Sequence, residues 1–229
     1  ALAFFAFVSF FPQLVAGPIE RARNLLPQFL TTRKFRHENF MFGMQQILWG
    51  FFKKVVIADT AAIYVDQIFG NYQEFSTIPL LIGVILFSFQ IYGDFSGYSD
   101  IAIGTARLFG FRLMTNFKTP YFSKSIKEFW KRWHISLSSW FKDYVYIPLG
   151  GNKKFKIRNI FIVFTVSGLW HGANWTFVIW GAFHGLLYYL DQFIVRYFKT
   201  IPNVRIQNIT SRIFTFSLVT LAWIFFRSP

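Results

Sequence analysis

Four histidines, and no cysteine, carry what acid–base and nucleophilic chemistry this chain can offer. His171 stands in S-G-L-W-H-G-A-N, with Gly168 before it and Gly172 directly after it. His134 stands in E-F-W-K-R-W-H-I-S-L-S. His37 and His184 complete the set, and the four show no spacing that suggests a zinc site. The missing cysteine excludes a thiol nucleophile, a disulfide framework and thiolate-bound metal. G-D-F-S-G at Gly93 to Gly97 lacks the spacing of a serine nucleophile elbow, and no H-E-x-x-H or phosphate-binding loop occurs. The chemistry best suited to what remains is proton transfer by imidazole. Asp94 and Asp100 lie well inside another apolar run. Each invites two readings, a polar group aimed into a cavity or a structural acid paired with a cation of the basic loop.

The elements that must hold these residues can be read from pattern. Ile157 to Leu190 is long enough to cross a bilayer, which takes roughly 20 apolar residues. Ser167, Gly168, His171, Gly172 and Asn174 interrupt it, so a helix broken at His171 is expected. Irregular backbone within a membrane survives only where protein or a water-filled cavity satisfies it. An imidazole at such a break is a functional candidate, and the alternative is a core histidine bonded to a backbone carbonyl. Ile78 to Phe111 reads as a second broken segment, interrupted at Y-G-D-F-S-G-Y-S-D-I-A-I-G. Phe40 to Phe69 carries Lys53, Lys54, Asp59 and Asp66, too many charges for a lipid-facing span; Lys54 and Asp59, five apart, fit helical pairing poorly. Ser125 to Tyr146 has apolar residues at three- and four-residue steps and a Ser125–Glu128 capping box, which predicts one amphipathic helix at the membrane surface. His134 then falls on or beside its apolar face, where a packed histidine is the ordinary case. Asp191 to Arg212 reads as a polar connection and Ile213 to Phe226 as a truncated last span.

Composition sets the class. The 229 residues are 54% hydrophobic and 22% aromatic, and only 15% are charged, against about a quarter in soluble domains. A polytopic membrane protein is expected. The formal charge of +14 then reflects basic cytoplasmic loops rather than nucleic-acid binding. Arg107 to Arg158 holds 12 of the 24 Lys and Arg against Glu128 and Asp143. Residues 112–158 are accordingly expected to form a basic amphipathic region on the cytoplasmic side. The chain opens without Met inside an apolar run and reads as an internal piece of a longer protein, residues 1–229 forming part of one membrane domain.

Several long motifs occur in order: F-F-P-Q-L-V-A-G-P-I at Phe10 to Ile19, D-F-S-G-Y-S-D-I-A-I-G at Asp94 to Gly104, E-F-W-K-R-W-H-I-S-L-S at Glu128 to Ser138, Y-I-P-L-G-G-N at Tyr146 to Asn152, and G-L-W-H-G-A-N at Gly168 to Asn174. Together they resemble the membrane-bound O-acyltransferase family, in particular its bacterial branch typified by alginate O-acetyltransferase. The resemblance implies an all-α fold with broken or re-entrant helices around a funnel across the bilayer. It implies that His171 is catalytic and that His134 supports it from the cytoplasmic side; His37 and His184 are not carried over. The expected reaction is acyl transfer, with His171 taking the proton from an acceptor hydroxyl as it attacks a thioester carbonyl. His134, the Trp170 indole or Asn174 would stabilise the oxyanion, with Asp94 and Asp100 lining the cavity or holding the fold. No bound cofactor or metal is expected. The donor would be acetyl-CoA or another acyl thioester. The partners would be membrane lipid, an extracytoplasmic acyltransferase and a polysaccharide acceptor, and the location a bacterial inner membrane crossed several times. Two alternatives stand beside this reading. One is a D-alanyltransferase fed by a carrier protein; the other is a non-enzymatic transporter, against which the two histidine motifs argue.

Overall fold

The computed structural model describes residues 2–228 and contains helices and turns, with no strand among the described residues. The chain divides into two compact units, Ala1–Asn116 and Phe117–Pro229. Three helices, Thr77–Leu108, Trp175–Phe198 and Val204–Arg227, are long and apolar enough to cross a membrane. Large apolar side chains stand exposed along many of the helices, among them Leu48, Trp49, Ile63 and Ile213, as a lipid-facing surface requires. This is an all-α membrane protein.

The first unit holds α1 (Leu2–Val8), α2 (Phe11–Leu14), α3 (Ala22–Leu30), α4 (His37–Phe51), α5 (Asp59–Gly70) and α6 (Thr77–Leu108). A π-helical stretch, Phe52–Ala58, joins α4 to α5 without a loop. Phe10, Leu25, Ala106 and Phe111 form a small core, with the Arg33 guanidinium 3.6 Å above the Phe111 ring. α4 and α6 pack at backbone contact. A Cβ on Gly50 would lie 2.6 Å from the Gly97 carbonyl oxygen, and one on Gly97 would lie 2.7 Å from that of Gly50. Gly43 and Gly104 repeat the arrangement two helical turns away. Small residues permit this approach, and in lipid close packing replaces the hydrophobic drive between helices.

This packing corrects the expectation of a break at Ile78 to Phe111: α6 is continuous for 32 residues. Its glycines serve close helix contact rather than interruption. Its carboxylates are neutralised from the neighbouring helix, not from the basic loop. Lys53 Nζ pairs with Asp100 and donates to Ser96 Oγ at 3.0 Å, while Gln46 Nε2 donates to Asp100 Oδ1 at 2.9 Å. Lys54 Nζ lies 2.6 Å from Asp59 and 2.7 Å from Asp94. The Lys54–Asp59 pair also corrects the spacing argument. A π-helix bonds i to i+5, so residues five apart share a face that an α-helix would deny them.

The second unit holds α7 (Ile126–Arg132), α8 (Ile135–Phe141), α9 (Lys156–His171), α10 (Trp175–Phe198) and α11 (Val204–Arg227). α9 and α10 form an antiparallel pair, again through glycine: a Cβ on Gly168 would meet the Phe177 carbonyl oxygen at 2.2 Å, and one on Gly181 that of Phe164 at 2.3 Å. The polar connection expected at Asp191 to Arg212 is mostly helix. α10 runs through Asp191 to Phe198, and α11 starts at Val204, capped by Asn203 Oδ1, which accepts from the Arg205 and Ile206 N–H groups.

Candidate functional site

His171 is the last residue of α9. Gly172 then adopts an extended conformation, and Asn174 begins α10 by accepting the Thr176 N–H at 3.2 Å. The helix therefore breaks where glycine and an N-cap residue coincide, as the sequence predicts. At the far end, α9 is anchored by Asn159, which is fully buried. Its amide faces the Leu149, Gly151 and Lys154 carbonyls at 3.1, 3.1 and 2.7 Å, which fixes the Gly150–Gly151 turn that feeds the helix. Sequence reasoning passed over Asn159; an amide next to a double-glycine turn was the available signal.

The single amphipathic helix expected over Ser125 to Tyr146 is three pieces. α7 ends at Arg132, α8 begins at Ile135, and Lys142–Tyr146 is π-helical. The break falls on His134, whose φ of 43° and ψ of 54° are left-handed, a costly conformation for a residue with a Cβ. Its cause is tertiary. The Arg132 carbonyl accepts from the Lys118 N–H at 2.9 Å, which takes it out of the helical ladder. α7 itself is held firmly at its start. Ser125 Oγ accepts the Glu128 N–H at 3.1 Å, and Glu128 accepts from the Lys124 N–H and from Arg132. Asp191 Oδ1 accepts the Ile126 N–H at 2.6 Å, with Lys127 3.7 Å from its other oxygen. Asp191, 2% exposed, is a second residue that sequence reasoning missed, because it opens a polar and basic stretch in which nothing singles it out.

These two breaks bring His134, Trp170 and His171 together. The Trp170 ring centroid lies 5.0 Å from that of His171 and 6.4 Å from that of His134. His171 also meets Trp180 at 5.3 Å and Phe226 at 5.1 Å, both edge to face. His134 stacks on Phe117 at 6.4 Å and is 4% exposed. Burial pushes its imidazole down to about 3, and nearby His171 acts in the same direction, so His134 is neutral at ordinary pH. Trp170 is exposed and His171 half-buried, so both are accessible to a ligand. Asn174 commits its oxygen to the cap and keeps its amide N–H groups for another partner. Asp94 and Asp100 belong to the first unit, where lysines hold both.

A cavity of about 540 Å³ lies within the second unit, lined by Trp130, Ile135, Leu137, Phe141, Phe164 and Tyr188, and by Lys127, Lys131, Lys142 and Lys156. Ile135 follows His134 directly, and Ser167, one turn before His171, also lines it. A larger hollow of about 700 Å³ mixes Glu128 and Asp191 with basic residues beside the start of α7. It is the poorer receptor for an anion, since both carboxylates face it.

The structure thus defines a class: a helical membrane protein with two imidazoles at helix breaks and the α6 carboxylates Asp94 and Asp100 held by lysines. The chain belongs to the membrane-bound O-acyltransferase family, whose family model, MBOAT, matches residues 1–227. It is 46% identical over 228 residues to the probable alginate O-acetylase AlgI of Pseudomonas fluorescens, covering 98% of this chain and 45% of that protein. It is 41% identical over 227 residues to the peptidoglycan O-acetyltransferase of Helicobacter pylori, covering 97% and 43%. It is 30% identical over 244 residues to the teichoic acid D-alanyltransferase of Bacillus subtilis, covering 96% and 60%. The chain spans less than half the length of the O-acetylating relatives it matches.

Proposed function

We propose that the full protein is a bacterial inner-membrane O-acetyltransferase, moving acetyl from a cytoplasmic thioester donor, acetyl-CoA, toward hydroxyls of an extracytoplasmic polysaccharide. The observation that carries this reading is the placement of two imidazoles on one indole at two helix breaks. His171 takes the proton of the acceptor hydroxyl as its oxygen attacks the thioester carbonyl. The Trp170 N–H or the free amide of Asn174 donates to the resulting oxyanion. When the tetrahedral intermediate collapses, the C–S bond breaks and the thiolate recovers the proton from His171. Neutral His134 flanks the centre as a hydrogen-bonding group that adds no charge. Four lysines and an aromatic wall make the 540 Å³ cavity a fitting receptor for the phosphates and the arm of such a donor. An extracytoplasmic acyltransferase would complete delivery to the polymer.

The test uses full-length protein in liposomes with radiolabelled acetyl-CoA. Wild type should consume the thioester, and His171→Gln should not, because an amide can hold a hydrogen bond but cannot take the proton. Consumption of a D-alanyl carrier protein with acetyl-CoA untouched would replace the donor assignment. A Lys153→Cys variant should be labelled from the cytoplasmic side; labelling from the opposite side alone would overturn the orientation.

A further inference from the structure

The second unit buries one more imidazole. His184 lies on α10, one turn after Trp180, and is wholly inaccessible to solvent. Neither of its ring nitrogens has a hydrogen-bonding protein partner. Aromatic rings surround it: Trp180 at 4.9 Å and Trp130 at 5.0 Å, both edge to face, then Phe164 at 6.3 Å and Phe129 and Trp223 at 6.4 Å. The indole N–H groups of Trp130, Trp180 and Trp223 are likewise buried without an acceptor.

The inventory of these groups is lopsided. A neutral imidazole offers one donor and one acceptor, and each indole offers a donor only. Four donors therefore face one acceptor, and pairing inside the cluster can serve one indole at most. Buried polar groups are satisfied as a rule, and small enclosed waters commonly do this for several groups at once. A packed core that needed only bulk at this position would carry phenylalanine, which the chain uses 33 times. Trp180 links the cluster to the candidate site. One side of its ring meets His184, and its ring also meets His171 edge to face at 5.3 Å, with an interplanar angle of 90°.

We propose that His184 is a positioning residue: its imidazole and the surrounding indole N–H groups share an enclosed water that holds the Trp180 ring, and that ring orients His171. The inference rests on the assignment of His171 as the general base. His184 touches no substrate. It acts by keeping a wall of the site in one rotamer, and misplacement of a reacting group by an ångström costs on the order of 10²-fold in rate.

The test compares His184→Phe, which keeps ring bulk and loses both nitrogens, with His184→Gln, which keeps a donor and an acceptor. Both are made in the full-length protein and assayed with acetyl-CoA in liposomes beside His171→Gln. His184→Phe should lower kcat on the order of 10²-fold and leave KM for acetyl-CoA within about two-fold. His184→Gln should restore most of kcat. In 5-fluorotryptophan-labelled protein, the 19F resonance assigned to Trp180 should move in His184→Phe and stay close to wild type in His184→Gln. A well-inserted His184→Phe protein with wild-type kcat overturns the proposal, as does a Trp180 resonance that does not move. The 19F arm reads out even if acetyl-CoA is not the donor. An inactive His171→Gln with a normal His184→Phe removes this inference alone; an active His171→Gln removes the general-base reading and this inference with it.

Discussion

α6 and the α9–α10 pair start from the same kind of sequence, a long apolar run interrupted by glycines and polar residues, and end differently. In α6 the interruptions are absorbed. Gly97 and Gly104 let α4 approach to backbone contact, and Lys53 and Lys54 neutralise Asp100 and Asp94 across that contact. The helix therefore has no reason to stop. In α9 the glycine before the histidine, Gly168, is also spent on close packing, but Gly172 and the Asn174 cap follow directly. His171 has no acidic partner among the described residues, and aromatic rings surround it. A polar group in an apolar helix becomes structural when a neighbouring helix supplies its counter-charge. It stays available for chemistry when the neighbours supply only rings.

The sharpest way to break this contrast is at the two extremes. His171→Ala in the full-length protein should lower acetyl transfer by about 10²–10⁴-fold with insertion and donor binding intact. Lys53→Met should do the reverse, acting on stability. It leaves Asp100 with Gln46 but no cation, and because the pair is only partly buried the cost should fall below the roughly 3–5 kcal/mol of a fully buried one. A lowered midpoint of thermal aggregation in detergent would register this, and Lys53→Met with Asp100→Leu should recover much of it. If Lys53→Met were as stable as wild type, the neutralisation argument for α6 would fail.

A smaller effect separates the histidine side by pH. His134 is held down to about 3 by burial, while in the unfolded chain it titrates near 6.5. Below that value the unfolded state binds a proton that the folded state refuses. Stability contributed at neutral pH is therefore lost as pH falls from about 6.5 toward 3, by roughly 1.4 kcal/mol per unit. Between pH 7.5 and pH 5 the share of the loss due to His134 should reach about 2 kcal/mol, and His134→Gln should lessen the slope by that share. An unchanged slope would mean that His134 is not the group responsible.

The mildest expectation concerns Asp94. Its side chain is half exposed, and Lys54 keeps Asp59 when Asp94 is removed. Asp94→Asn should change stability by no more than about 1 kcal/mol, as exposed pairs do, and should leave the pH–rate limbs in place. A shifted limb in a well-expressed protein would move Asp94 from structure to proton transfer and erase the contrast between the two regions.

Local chemistry determined what could be read without coordinates. The apolar runs dictate helices, because a backbone in lipid must bond to itself. The Gly172–Asn174 break, the Ser125 cap and the candidacy of His171 are written in neighbouring residues. Tertiary structure decided whatever depends on a partner distant in sequence. α6 stays whole because α4 lies against its glycines and the π-helical stretch after α4 lends it two lysines. The π-helical Phe52–Ala58 turns a five-residue spacing into an ion pair. The helix expected through His134 breaks because Lys118, 14 residues before Arg132, takes the Arg132 carbonyl. Asp191 caps α7 from within α10, a partner that its polar, basic surroundings in the sequence do not name. Sequence period reports the face a residue would show on an unbroken helix, and only the packed chain determines whether the helix remains unbroken and which distant group answers each buried charge.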